Sequence, residues 1–538
     1  MSRPSDFWGR LSPRRRLATP LGQTPVEAIP QLWLRVVWWS TILIAGVYFL
    51  LWMRLHNLPY LDFPNHLARS VVMADALFNH GLRFAHAFTV KLSPSTYVLG
   101  DLALASLVKA IGPSRAGPIW AALVFLSLPA SLAYLARSLR LSSIASATAI
   151  LSGCYLGSSW FFLAGFFSFQ LAVAFSLIVG ANLCRQCERP SWWRLTTIIV
   201  VTTLGYFVHI TSVLFDCLLC VVIAIAYPAP LRRRVLATTA PLFVAGALLV
   251  WGLFDPAAAT HGGSDWGGIA GKVPRLLLPF VRFDLPSEAL CALPLVLFAW
   301  LGLRRWRQLR EDRRASLCIV MVGAFLAMYC VLPVSQGHGY DVDVRALAPM
   351  YTGILLLILV AIDGASTHVQ IAAWGVAAWL ALANLWVLNY KLFPLDQTIG
   401  VYRALLQTLP PDSSLLPVSA VPNVGRHQAF LHAGSWATID RDAVTPYLFS
   451  GSTGEAMSYF RYVRVPQVPP IFWALRPGYP PADCIKVTRD FEYVSIIGKA
   501  DLGCPGFIVV AHSHDPEISL LKRVADANSR DQIRDPAE

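Results

Sequence analysis

The sequence predicts an all-α polytopic membrane protein of about 11 transmembrane helices, with a small α/β domain at its C-terminal end. Three observations carry that class. Of the 538 residues, 56% are hydrophobic and 14% charged, and mean hydropathy is +0.54, beyond the range of water-soluble globular chains. The apolar residues come in repeated long runs. Lipid offers no partner for free backbone groups, so such runs must be helices. Arg clusters recur in short segments between alternate runs, as the positive-inside rule requires. The net charge of +13 therefore reports topology, not a nucleic-acid partner.

The chain in order justifies each element. Residues 1–30 are polar and Pro-rich, with Arg14, Arg15 and Arg16, and lack an A-x-A-like cleavage site after a short apolar core. They read as a cytoplasmic basic tail. Residues 31–389 read as the membrane domain. Val36 to Met53 gives 18 uncharged residues, about one crossing. The next clear run, Ile119 to Ala136, ends at Arg137 and Arg140 and so returns to the cytoplasm. Residues 55–117 then form a long first outer loop, expected to hold two interfacial helices, Pro64 to His80 and Tyr97 to Ile111. Spans near 142–159 and 161–183 lead back to Arg185, Arg189 and Arg194. The run 195–227 is too long for one straight helix and has His209 at its middle, which predicts two short helices meeting on the outer side.

A span near 235–254 exits into a Gly-rich outer loop that starts at His261 and runs to about Glu288. The following one returns to the basic loop Arg304 to Arg314. Spans near 315–333, 346–362 and 369–388 complete eleven and place residues 390–522 outside as a mixed α/β domain, with 523–538 a disordered charged tail. Cys184 and Cys187 have C-x-x-C spacing but no second pair or nearby His, so they do not form a zinc site. Cys484 and Cys504 are the pair in the hydrophilic part, where an extracytoplasmic location permits a disulfide.

This topology gathers the unusual polar residues at one face. Directly after the first span comes Asp62-Phe63-Pro64-Asn65-His66-Leu67-Ala68-Arg69. Helical spacing i, i+4, i+7 puts Asp62, His66 and Arg69 on one side. Asp before Pro is also ordinary N-cap chemistry, so Asp62 is either a cap or a functional carboxylate. The outer face also receives Lys91, Asp101, His209, His338, Asp341, Asp343 and Arg345. His209 caps two half-helices or orients a ligand. Asp341 and Asp343 solvate their loop, pair with Arg345, or chelate a divalent cation such as magnesium or manganese through hard oxygens. Arg345, at the start of an apolar span, suits a phosphate-bearing lipid.

One acidic residue after the first span, interfacial helices in a long first outer loop, many spans and a C-terminal outer domain together resemble the GT-C superfamily. These are integral-membrane glycosyltransferases with polyprenyl-phosphate sugar donors. The stretch Asp62 to Arg69 is similar to that of a poorly characterised bacterial branch. Where many members carry a second acidic residue, this chain has Phe63. The resemblance implies that Asp62 is the catalytic base or a metal-binding residue. Sugar transfer needs a carboxylate to take or orient the acceptor proton, and cations to stabilise the leaving lipid phosphate. Asp62 and His66 are then the catalytic candidates, and Arg69, Lys91, Asp101, His209, His338 and Arg345 the substrate-binding ones. The expected partners are a polyprenyl-phosphate-linked sugar, a glycan, lipid or protein acceptor, and membrane lipids. The expected location is the bacterial inner membrane, N-terminus cytoplasmic and C-terminal domain periplasmic. The competing reading is a transporter, flippase or scaffold for polysaccharide assembly. Against it stand the lack of a clear inverted repeat and the few charges within spans.

Overall fold

The computed structural model describes residues 31–81, 83–254, 263–336, 339–420, 427–449, 459–463, 484–500 and 502–524. The basic tail of residues 1–30, His261, His338 and residues 525–538 lie outside them. In chain order the elements begin with α1 (Gln31–Arg54), α2 (Phe63–Phe78), β1 (Phe88–Val90), α3 (Val98–Ile111) and α4 (Pro113–Ser138). There follow α5 (Ser143–Gly157), the one-turn α6 (Trp160–Leu163), α7 (Phe167–Glu188), α8 (Trp192–Val208), α9 (Thr211–Ala226) and α10 (Leu231–Phe254). Then come β2 (Ser264–Asp265), α11 (Gly268–Arg275), α12 (Leu285–Leu303), α13 (Trp306–Leu309) and α14 (Arg313–Val331). The hairpin β3 (Ser335–Gln336) and β4 (Gly339–Tyr340) leads through a 3-10 turn, Asp343–Ala346, into α15 (Leu347–Asp363) and α16 (Thr367–Leu406). The C-terminal part holds β5 (Leu415–Ser419), α17 (Ser435–Arg441), β6 (Phe460–Tyr462), α18 (Cys484–Asp490), β7 (Tyr493–Ile497), β8 (Phe507–His514) and β9 (Glu517–Arg523).

Among the described residues, eight helices are long and apolar enough to cross a membrane: α1, α4, α7, α10, α12, α14, α15 and α16. Three shorter apolar helices, α5, α8 and α9, occupy the positions of the other three expected spans. The two helices expected in the long first loop are α2 and α3, within two residues of their expected starts. Their terminators are legible in the sequence: Pro64 in the first turn of α2, and Gly112 with φ 78° after α3.

Two expected boundaries differ. The span drawn at 161–183 is broken into α6, a turn and α7, because Gly165 adopts φ 77° there. A Cβ on Gly165 would lie 2.5 Å from the Phe63 backbone nitrogen, so only glycine lets the two chains approach. The other is the domain edge drawn at residue 390. α16 runs unbroken through it for 40 residues, with Pro394 inside, and its far end packs on the C-terminal sheet, where the Tyr402 hydroxyl meets Ser495 Oγ at 2.8 Å.

The connections fall into two ends. At one, the basic turns lock together. Glu188 takes Arg140 at 2.7 Å and the Tyr227 hydroxyl at 3.1 Å, while Asp363 accepts from the Ser142 amide at 2.6 Å and from Arg314 at 2.9 Å. At the other end, the Leu61 amide bonds Leu163 O (3.2 Å) and the Trp160 amide bonds Pro279 O (3.0 Å). That end also carries the C-terminal domain, whose four-stranded sheet has the order β5-β7-β9-β8, with β5 and β7 parallel and the rest antiparallel. The disulfide Cys484–Cys504 closes this domain with Cα atoms 5.2 Å apart. β1 of the first loop pairs antiparallel with β6 of the C-terminal part, so the two regions interlock.

A buried polar pin ties the spans together near the same end. Arg282 forks onto Glu288 (Nη2–Oε2 2.9 Å, Nε–Oε1 3.2 Å) and reaches Asn384 Oδ1 at 2.5 Å. Asn384 in turn donates to the Tyr48 hydroxyl (2.6 Å) and to Ser158 Oγ (2.7 Å). Each of these polar groups has a hydrogen-bond partner, the condition under which buried polar groups specify packing instead of weakening it.

Candidate active site

Asp62 is placed by an aromatic pile. Tyr60 packs on Phe167 (centroids 5.1 Å) and Phe162 (5.6 Å), and Phe63 packs on Phe167 (4.4 Å), so the residues on both sides of Asp62 are core anchors. Phe63, standing where a second acidic residue was expected, is fully buried in this pile. The Asp62 amide bonds Ala164 O at 3.0 Å, and its carbonyl receives the Asn65 and His66 amides at the start of α2. Its carboxylate makes no capping hydrogen bond to the helix. The capping role accordingly belongs to the Asp62 backbone, and the side chain points to other partners.

One of those partners is His432, whose Nε2 lies 3.4 Å from Asp62 Oδ1. Its tautomer follows from Asn65. The Phe449 amide donates to Asn65 Oδ1 (2.9 Å), which fixes the amide so that Nδ2 donates to Tyr447 O (2.5 Å) and faces His432 Nδ1 (3.4 Å). His432 Nδ1 is then an acceptor, and Nε2 carries the proton toward Asp62. Burial, followed by the nearby His66, holds the His432 pKa down to about 3, which keeps the ring neutral. His427 makes the same segment, a strap of residues 427–449, fast by donating from Nε2 to Pro59 O at 2.6 Å.

One turn further along α2, Arg69 is fully buried and forked onto Asp101, with Nε–Oδ2 at 2.5 Å and Nη2–Oδ1 at 2.9 Å. The Tyr459 hydroxyl donates to Asp101 Oδ2 at 2.6 Å. Burial pushes the Asp101 pKa up, but the Arg69 charge and its hydrogen bonds outweigh it and leave the pKa well below the usual carboxylate range. Arg69 Nη2 also donates to His66 Nδ1 at 2.7 Å, which leaves the His66 proton on Nε2. Burial first, and Arg69 second, lower the His66 pKa. His66 is therefore a neutral imidazole backed by a neutralised ion pair.

The remaining candidates divide. His209 sits at the junction of α8 and α9, where its Nδ1 accepts from the Thr211 amide (3.1 Å) and hydroxyl (2.8 Å). Its proton is then on Nε2, which lies 3.0 Å from the Tyr97 hydroxyl. Arg345 Nη1 stands 3.3 Å from the same Nε2. Both atoms carry hydrogens, so this is a contact and not a hydrogen bond. Arg345 Nε is buried without a hydrogen-bond partner among the described residues, and its guanidinium lies 5.6 Å from the Phe166 ring centroid. Asp341 and Asp343 are both taken by Arg275, at 2.6 and 2.8 Å. As a cation site this pair does not fit, because a guanidinium already fills the space between the two carboxylates. Among the described residues no group of three or more His, Cys, Asp or Glu is arranged to hold a metal. Lys91 is exposed at the end of β1.

The structure thus joins Asp62, His66, Arg69 and Asp101 with His432 and Asn65, and brings Arg345 into direct contact with His209. His432, Asn65 and Tyr459 were not foreseen. Asn65 lies inside the Asp62–Arg69 stretch, so that signal was present. His432 stands 367 residues from Asn65, and no local pattern marks it.

No protein-family model matches the sequence, and no curated protein does. Among solved structures, ArnT from Cupriavidus metallidurans bound to undecaprenyl phosphate superposes with a TM-score of 0.54 at 12% identity, over 93% of this chain and 99% of that one. Its apo state gives the same TM-score and identity, over 91% and 99%. The arabinofuranosyltransferase AftD from Mycobacteria aligns at a TM-score of 0.45 and 16% identity, over 93% of this chain and 42% of its own. The likeness to ArnT establishes the fold: this chain shares the architecture of that structure, and among the described residues eight of its helices are long and apolar enough to cross a membrane.

Proposed function

We propose that the protein is a membrane glycosyltransferase that moves a sugar from a polyprenyl-phosphate donor to a glycan, lipid or protein acceptor at the outer face of the inner membrane. The observation that carries this reading is Asp62. Its carboxylate stands at the head of a helix it does not cap, oriented by a neutral histidine, in a fold shared with a protein that binds undecaprenyl phosphate. In the proposed step Asp62 takes the acceptor hydroxyl proton as the acceptor oxygen bonds the sugar's anomeric carbon. The bond from that carbon to the lipid phosphate breaks, and polyprenyl phosphate leaves. A single displacement inverts the anomeric centre. Arg345 is the cation for the leaving phosphate, since its charge meets no carboxylate among the described residues. His66 Nε2–H and His209 orient the reactants, while Arg69 and Asp101 hold His66 in place.

The test is a comparison of envelope glycolipids and glycans by mass spectrometry in a deletion strain, complemented with wild type or with Asp62→Asn. The reading requires a product lost on deletion, restored by wild type and not by the variant.

One observation favours a second reading, a cation-coupled transporter. Asp216 is a buried carboxylate on the apolar helix α9, with Ser176 and Thr202 as polar neighbours. Transport would make Asp216→Asn, and not Asp62→Asn, the variant that abolishes the phenotype.

A further inference from the structure

The segment between α10 and α12, in sequence a Gly-rich loop, presents from residue 266 on an apolar face that no described residue covers. Trp266, Ile269, Val273, Leu277, Val281 and Leu285 are 39% to 86% exposed, at spacings of three and four residues. The helical turns continue past α11, where the Leu278 amide bonds Arg275 O and the Val281 amide bonds Leu277 O. From 266 to 281 every exposed residue is apolar or glycine.

From 266 to 282 the charged side chains are all withdrawn to the protein side. Lys272 is buried and donates to the carbonyls of Tyr329 (2.9 Å), Cys330 (3.2 Å) and Leu332, closing the C-terminus of α14. Arg275 is spent on Asp341 and Asp343, and Arg282 on Glu288. The segment is too short to cross a bilayer. The flanking spans expose apolar side chains as well, Trp251 and Phe254 at the end of α10 and Leu290 and Leu293 on α12.

We propose that α11 and the turns after it form an in-plane helix whose Trp266–Ile269–Val273–Leu277 face is buried in the acyl-chain region of the adjoining bilayer leaflet. Lipid hydrocarbon is the partner that this chemistry fits. An anionic headgroup would need a cation on the exposed face, and none stands there. Such helices lie roughly 5–10 Å into the boundary between headgroups and chains. Arg275 ties the helix to the turn that carries Arg345, so immersion fixes that guanidinium near headgroup depth. This last consequence rests on the proposed function; the immersion itself does not.

The test reads depth and needs no activity. In a Cys330→Ser background, which removes the exposed free thiol, Ile269→Cys and Leu277→Cys are labelled with a nitroxide in the full-length protein. Lys499→Cys in the outer domain, 88% exposed at its side chain, serves as the aqueous control. In phosphatidylcholine vesicles, labels at 269 and 277 should collide with oxygen in preference to a water-soluble nickel chelate by several-fold, and the control the reverse. The preference should persist in high salt and be unchanged by added phosphatidylglycerol. Nickel-dominated collisions at 269 and 277 would overturn the proposal in favour of an aqueous loop. Exclusion of both reagents with dipolar broadening would overturn it in favour of a second copy of the chain.

Discussion

Arg275 holds both oxygens of Asp343, with Nη2–Oδ1 at 2.8 Å and Nε–Oδ2 at 3.2 Å, two residues before Arg345. The pairing decides what Arg345 is left to do. Had Asp341 or Asp343 been its partner, Arg345 would be a neutralised structural residue. With both carboxylates taken from the other side, its charge faces His209 and Phe166 and no anion among the described residues. Arg345→Ala should weaken polyprenyl-phosphate binding by roughly 10- to 100-fold, the worth of a charge-assisted bond. Arg345→Lys should restore only part, since a point charge cannot fork onto two phosphate oxygens. Equal lipid-phosphate affinity in all three proteins, by isothermal titration, would remove Arg345 from the donor site.

Arg275 itself should behave as a structural residue. Asp343 is fully buried, and Arg275→Gln strands its charge, so the cost should be about 3–5 kcal/mol. Thermal unfolding in detergent reads this loss, which pairing Arg275→Gln with Asp343→Asn should partly recover. A variant as stable as wild type would show that the pair is not closed in solution.

The Arg69–Asp101 fork makes a parallel case. Asp101→Asn leaves a fully buried guanidinium with half its fork and no counter-charge, and should destabilise by about 3–5 kcal/mol. Arg69→Lys keeps the charge but loses the planar fork, so it should fall between wild type and Asp101→Asn in melting temperature. It should also lower turnover, because His66 loses the donor that sets its tautomer. Turnover unchanged in a folded Arg69→Lys protein would detach His66 orientation from this pair.

Acid should loosen the strap formed by residues 427–449. Burial holds His427 to about 4 despite its bond to Pro59, and burial with His66 nearby holds His432 to about 3. Both lie below the ordinary histidine value of about 6.5. The undocked chain therefore takes up protons first, and docking weakens as pH falls below about 6.5, up to roughly tenfold per unit for each histidine until its folded value is reached. Asp101 has the opposite timing. Its carboxylate is depressed by Arg69, so its stabilisation is intact above the ordinary carboxylate range and is lost only below it. Between about pH 5 and 6.5 Asp101 contributes no slope, and the share due to the strap comes from its two histidines. Melting temperature followed against pH should show this slope, and His432→Asn should flatten it.

The fold was legible because its determinants are long and local. Eighteen uncharged residues, a Pro in a first turn or an Arg cluster at a span end can each be read without knowing what packs against it. The breaks came where tertiary contact overrides the run. Gly165 interrupts an apolar stretch because the Phe63 backbone lies against it, and α16 continues past Tyr390 because the C-terminal sheet receives it. α11 was hidden by Gly268, Gly271 and Pro274, poor helix formers that the protein holds in place through Lys272 and Arg275. In the site, the i, i+3 relation of His66 and Arg69 followed from helical geometry, whereas the fork onto Asp101 and the approach of His432 depend on how the first loop and the C-terminal part close on each other.

The variant that bears most directly on function is Asp62→Asn. Its side chain caps nothing, so the substitution removes no helix contact. An amide oxygen can still accept from His432 Nε2–H, so the strap should stay docked and the melting temperature close to wild type. A carboxamide cannot take a proton from an acceptor hydroxyl, and turnover should fall by roughly two to four orders of magnitude. Two companions separate chemistry from placement. His432→Asn, which removes the ring that orients Asp62, should reduce turnover less and flatten the acid slope as well. His66→Asn, one turn along α2, should likewise cost less than Asp62→Asn if its role is to orient the acceptor. Sugar transfer from a purified polyprenyl-phosphate donor measures all three. A folded Asp62→Asn protein with wild-type turnover would falsify the role of this carboxylate and leave the enzyme reading resting on the fold.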